Sequence, residues 1–208
     1  MVIVSSFSLN YNPETNIFTI ISEEILNCPF CNGTLVYRDS KLRTAINLYG
    51  EARLFSLRRL KCRYCNAHHR ELPNTIQPFK HYDSETIQSV IDGSPDAAMC
   101  AADDSTIRRW KTTFAESGPD ISMRLASALA RASEEKIPAL NAELALTLIK
   151  GKEKHWLAFV MALLINGGHA LRTRFAFCPK RYCDKVVFTI KKEDGGSREN
   201  DKTINDSS

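Results

Sequence analysis

Asn27–Gly33, NCPFCNG, and Leu60–His69, LKCRYCNAHH, each carry a Cys-x-x-Cys pair, Cys28/Cys31 and Cys62/Cys65, with thirty residues between the pairs. A pair on a tight turn aims two sulfurs at one point. Two such knuckles supply the four soft ligands of a tetrahedral zinc site at about 2.3 Å each. Gly33, shortly after Cys31, suits the positive φ that such a turn asks for. A thioredoxin-like redox pair needs one Cys-x-x-Cys at a helix start in a βαβ setting, which is not the pattern here. His68 and His69 follow Cys65 closely and stand as alternative ligands or as surface groups. A site closed by four thiolates has no open coordination position. Its zinc would hold a fold together rather than activate a substrate.

The residues between the knuckles read as a long hairpin arm. "TLVYRDS" and "RLFSLRRLK" are strand-like, and the tip falls near "NLYGE", Asn47–Glu51. Thr34 to Arg70 holds nine basic residues against Asp39 and Glu51, a net +7 where the whole chain carries +4. Positive charge is therefore concentrated on the arm, interleaved with Tyr37, Tyr49, Phe55 and Tyr64. Basic and aromatic residues on a β-ribbon suit phosphate contact. Lys41, Arg43, Arg53, Arg58, Arg59, Lys61 and Arg63 are the arm's candidate DNA contacts.

Upstream, "MVIVSSFSL" and "NIFTII" read as two strands around the turn residues "NYNPET". Downstream, "LPNTIQPF" has two prolines and no helical period, and reads as an extended linker. The chain then turns helical. "SETIQSVI" is capped by Asp83 or Ser84 and stopped at "GSP". "DAAMCAADDSTIRRWKTTF", Asp96–Phe114, has the form of two helices joined by a short turn. The first would pack through Ala98, Met99 and Ala102; Asp103 would cap the second. In that second helix Ile107, Trp110 and Phe114 face inward. Ser105, Arg108, Arg109 and Thr112 face outward as groove-reading candidates. Beyond "ESGPD", Ile121, Leu125 and Leu129 give one apolar stripe and Leu140, Leu144 and Leu148 another. "WLAFVMALLI", Trp156–Ile165, is too short to span a bilayer and reads as a core or partner-binding helix. "NGGH" bends or ends it.

Three stretches, "CPFCNGTLVYRDSKLR", "LRRLKCRYCNAHHRELP" and "QPFKHYDSETIQSVIDG", resemble an uncharacterised bacterial family found largely in Gram-positive genomes. Its members pair a zinc ribbon with a helix-turn-helix and are often linked to insertion sequences. "STIRRW" resembles recognition helices of transposases. The resemblance covers roughly Cys28 to Phe114. It implies Cys28, Cys31, Cys62 and Cys65 as zinc ligands and DNA as the partner.

The expected fold class is α+β: a β-rich zinc-ribbon domain over 1–80, an all-α helix-turn-helix over 81–116 and a helical region over 117–190. A disordered tail over 191–208 would complete it. About ninety residues follow the second helix, too few for an RNase H-like transposase core. Phosphate loop and nucleophile elbow are both missing, so no catalysis is expected. His169, Cys178 and Cys183 are candidates for a second metal site, at a looser spacing and without a fourth ligand, or else unpaired thiols, and Cys100 reads as a small core residue. The start of the chain has no signal-peptide pattern, which leads to an expected cytoplasmic location with reduced thiols. The expected function is binding of double-stranded DNA, as a regulator or a mobile-element accessory protein, with one structural zinc ion. The rival is a protein-interaction adaptor with the ribbon as platform and the C-terminal helices as docking or homodimer surface.

Overall fold

The computed structural model describes residues 1–132 and 144–168. Six strands come first: β1 (Val2–Val4), β2 (Phe7–Asn12), β3 (Ile17–Ser22), β4 (Leu35–Ile46), β5 (Ala52–Cys62) and β6 (His68–Pro73). Four α-helices follow: α1 (Ser84–Asp92), α2 (Asp104–Ala132), α3 (Ala145–Lys152) and α4 (Trp156–Asn166).

The expected arm is the β4–β5 hairpin, paired antiparallel from Leu35↔Cys62 to Ile46↔Ala52. Its tip is tied by Asn47, whose Oδ1 accepts from the Tyr49 and Glu51 amides at 3.1 and 2.9 Å. β5 is the hub of a curled mixed sheet. Along its second edge, β3 pairs in parallel at Leu54–Ser56 and β6 antiparallel at Arg59–Lys61. β2 extends the sheet beyond β3, and β1 runs parallel to β6. The expected N-terminal hairpin is β2–β3, turned by Asn12 and Asn16, the latter at φ 55°. Its first strand is divided at Ser5–Ser6, because Val2–Val4 are fully buried beside β6 whereas Ser8–Asn12 are exposed. The open edge of β1 is closed by a side chain. The Asn166 amide accepts from Ile3 N at 2.8 Å and donates to Ile3 O at 2.7 Å.

The expected all-α helix-turn-helix is not formed, and that part of the fold class is corrected. Pro95–Met99 makes one five-residue 3-10 turn with no buried residue. Met99 is 62% exposed, so it anchors no helix; only Ala102 of the expected packing residues is buried. The helix expected to close the helix-turn-helix by 116 does not end there either. α2 runs for 29 residues straight through Pro119. An interior proline costs a helix about 3 kcal/mol. Here Trp110, Ser117, Ile121, Leu125 and Ala128 form one buried stripe on both sides of it, and that burial outweighs the loss. A local stop signal is overridden by tertiary packing.

The helices share the sheet's core. One cluster joins Ile3, Phe55, Leu57 and Leu72 to Ile87, Trp110, Leu125, Trp156 and Met161. "LPNTIQPF" is anchored in it, with Ile76 and Gln77 at 1% and 0% exposure. Cys100 packs half-buried against it. α1 is capped by Asp83, which accepts from Thr86 N, and closed by Gly93 in the left-handed region. α4 is a core helix whose Trp156 face is filled by the protein's own residues: the Trp156 indole donates to Asp92 Oδ2 at 2.7 Å. It ends at Asn166, where the "NGGH" stretch begins. Among the described residues no helix is long and apolar enough to cross a membrane. His169, Cys178, Cys183, Leu140 and the expected tail lie outside the described residues.

Candidate metal centre

The hairpin arm is what assembles the site. Cys28 and Cys31 lie just before β4; Cys62 ends β5, and Cys65 lies in the turn before β6. Because Leu35 pairs with Cys62, the residues before β4 and after β5 meet. The long spacing between knuckles is the contour of the hairpin. Each knuckle is closed by backbone bonds, Cys28 N to Gly33 O and Cys62 N to Ala67 O, both 2.9 Å. The positive φ falls on Asn32 (58°) and Asn66 (59°), the residues directly after the second cysteine of each pair, and not on Gly33. Asparagine tolerates this region better than most residues. Gly33 gives room instead: a Cβ there would lie 2.4 Å from the Tyr64 ring and 3.1 Å from Cys62 Sγ, so a larger residue would displace a neighbour.

The four sulfurs lie within 4.8 Å of one another, close enough to hold one metal ion. Across the knuckles, Cys28 Sγ is 3.6 Å from Cys65 Sγ and Cys31 Sγ is 3.5 Å from Cys62 Sγ. A tetrahedral ion with bonds of about 2.3 Å spaces its sulfurs by about 3.8 Å, so the donors fit. Burial raises the Cys62 thiol, but the Cys65 and Tyr64 N–H groups outweigh it and hold the group at about 6. Burial and the neighbouring sulfurs push Cys65 up to about 12.

His69, an alternative ligand by sequence, stands beside the four-sulfur group rather than within it, and it is not a surface group. It is 2% exposed, with Nε2 3.3 Å from Cys28 Sγ and Nδ1 2.8 Å from the Met1 nitrogen. Burial, reinforced by the Met1 amino group, pushes it down to about 4, so the ring is neutral. The Met1 nitrogen is a donor, which makes Nδ1 the acceptor and leaves the ring proton on Nε2, aimed at Cys28. A hydrogen bond to a ligand sulfur orients it and disperses its charge. The signal available in the sequence was strand parity: His69 stands opposite Leu60, a buried residue of β5. His69→Phe is expected to lower metal affinity about 10- to 100-fold. Competition against a chromophoric chelator measures this, and an unchanged affinity would reduce His69 to packing.

The arm's candidate contacts divide into two groups. Arg58 donates to both oxygens of Glu71 at 2.6 and 2.7 Å, and Glu71 is only 4% exposed. Arg59 forms a bidentate pair with Asp39, whose carboxyl is held below its ordinary value by that guanidinium. Arg43 donates to the carbonyls of Gln77 and Lys80 at 2.6 and 2.7 Å. These three arginines have structural partners. Lys41, Lys61 and Arg63 are exposed, and Arg53 reaches Glu51 only at 3.9 Å. Ser105, Arg108, Arg109 and Thr112 lie exposed on the first turns of α2. Arg58→Ala is expected to cost about 2–3 kcal/mol by leaving Glu71 buried and unpaired, a figure reduced for the exposed side of the pair. Urea denaturation reads it; Lys61→Ala should stay within about 0.5 kcal/mol of wild type.

The register sets basic residues beside one another across β5 and β6. Arg59 stands beside Arg70, and Lys61 beside His68. Burial, and then Arg70, hold Arg43 down at about 10. Burial, and then Arg109, hold Lys80 down at about 8. Arg43 thus has Arg70 near it, and Lys80 has Arg109.

Fold and centre together define a protein with four cysteines, close enough to hold one metal ion, set into a curled mixed sheet and backed by helices. Residues 28–110 match a family described as a domain of unknown function (DUF6431). The match runs from the first site cysteine to Trp110 in α2 and so contains the whole centre. It says nothing of Gram-positive hosts, insertion sequences or a helix-turn-helix. No curated protein and no solved structure matches the chain.

Proposed function

We propose that the chain is a non-catalytic, zinc-stabilised protein that binds double-stranded DNA through the basic face of its sheet. The observation that supports this is the pairing of cations across β5 and β6, Arg59 beside Arg70 and Lys61 beside His68, with Lys41, Arg63 and Arg109 exposed besides. Spaced cations on one face match the phosphate spacing of a polyanion and release its counterions. Zinc is the metal that four thiolates in a tetrahedron favour in a closed structural site. A closed site offers no position to a substrate, which supports a binding role over catalysis. The role this serves would be that of a regulator or of a mobile-element accessory protein.

The test is a gel-shift of zinc-loaded protein on random duplex DNA at low and moderate salt. Binding should weaken steeply with salt and disappear with chelation. The double variant Lys61→Ala, Arg63→Ala should lower affinity and flatten the salt dependence by about one to two charges. Folded, zinc-loaded protein that retains no DNA at low salt would end this reading.

A further inference from the structure

Gln77–Lys80, QPFK, is a four-residue turn closed by Lys80 N–H to Gln77 O at 3.3 Å. It carries proline at its second position and a positive φ of 58° at its third, Phe79. That is the pattern of a type II turn, whose third position belongs to glycine or asparagine because other side chains meet the backbone there. A bulky aromatic residue in the left-handed region is an outlier. Burial does not explain it, since the Phe79 ring is 50% exposed. The turn around it is fixed in place. Gln77 is fully buried, and the Arg43 guanidinium bonds the carbonyls on both sides of the Pro78–Phe79 pair. A strained backbone on a rigid base therefore holds an aromatic ring out into water. Arg43 bonds the turn beneath the ring, Lys80 follows Phe79 directly in the chain, and Arg109 lies close to Lys80.

Strain that neighbouring structure maintains is a pointer to function. An exposed ring flanked by cations is suited to a partner with flat π-faces between phosphates. We propose that Phe79 is a base-contacting wedge: its ring stacks on a nucleobase of bound DNA while the surrounding cations hold the adjacent phosphates. This rests on the DNA-binding reading above. Side chains of this kind stack on bases or enter a base step and partly unstack it. A protein partner would use the same ring through apolar contact and would show no dependence on a base.

The experiment uses the full chain, zinc-loaded, and a random-sequence duplex carrying 2-aminopurine, whose fluorescence reports stacking. Phe79→Asn suits the turn, so its Tm should equal or exceed that of wild type. Its affinity for the duplex should nevertheless fall about tenfold or more, and the fluorescence change seen with wild type should vanish. Phe79→Tyr, which restores a ring, should rescue both. If Phe79→Asn binds as tightly as wild type while Lys61→Ala, Arg63→Ala binds weakly, the DNA reading stands and the wedge is overturned. The wedge is overturned equally if wild type binds with no fluorescence change. If wild type binds no duplex at low salt, both readings fall together.

Discussion

Cys28→Ser is expected to lower the unfolding free energy by more than about 5 kcal/mol, the largest effect of any single substitution in this chain. Metal binding by thiolates contributes about 10–16 kcal/mol in small zinc domains, and that energy is folding energy wherever the site exists only in the folded state. Here the four sulfurs come from two loops joined only through the hairpin, so an unfolded chain cannot hold them within 4.8 Å of one another. Serine preserves the size of the side chain but is a poor ligand for a soft site. Its shorter side chain also draws the acceptor away from His69 Nε2, which lies 3.3 Å from the sulfur. Chelating the wild-type protein should give the same loss by a different route. The measurement is thermal melting by circular dichroism alongside metal content: a retained Tm after complete metal removal would make the centre dispensable for the fold.

Trp156→Ala is expected to cost about 3–5 kcal/mol and to weaken a single cooperative transition rather than release a C-terminal piece. Trp156 is 2% exposed. Its ring lies 5.3 Å from that of Phe114 on α2, and Lys150 Nζ sits 4.3 Å from its centroid. Its indole N–H is bonded to Asp92, at the end of α1, which also pairs with Lys150 at 2.9 Å. One truncation therefore opens a cavity shared by three helices and leaves Asp92 without one partner. Urea unfolding followed by both far- and near-ultraviolet circular dichroism tests this. Two separated transitions, with the sheet surviving the first, would mean that the C-terminal helices are an appended unit.

Local chemistry made some of this legible in the sequence. Cys-x-x-Cys is a statement about one turn, and two of them specify four sulfurs whatever lies between. A strand, a five-residue tip with Asn47 and Gly50 and a second strand of matching length specify a hairpin, and hairpin register then brings the knuckles together. Asp83, Gly93 and Asp103 act within three or four residues of themselves, so their capping roles could be read directly. The concentration of positive charge between Thr34 and Arg70 was countable for the same reason.

What the sequence by itself determined, then, is the set of contacts closed within a few residues or within one hairpin: the knuckles, the arm and the caps. Tertiary structure alone decided the rest, because each remaining feature depends on a partner far along the chain. Pro119 fails to stop α2 only because residues on both sides of it are buried against other helices. The arginines of the arm look alike in sequence, yet Glu71, Asp39 and the 77–80 carbonyls claim Arg58, Arg59 and Arg43 and leave Lys61 and Arg63 to solvent. His69 becomes part of the metal centre through Cys28, 41 residues away. Phe79 is held in a turn meant for glycine because Arg43 clamps that turn from β4. Composition and periodicity report a residue's own preferences; which distant group satisfies a charge, a proton or a strained φ is fixed only when the sheet and helices close on one another.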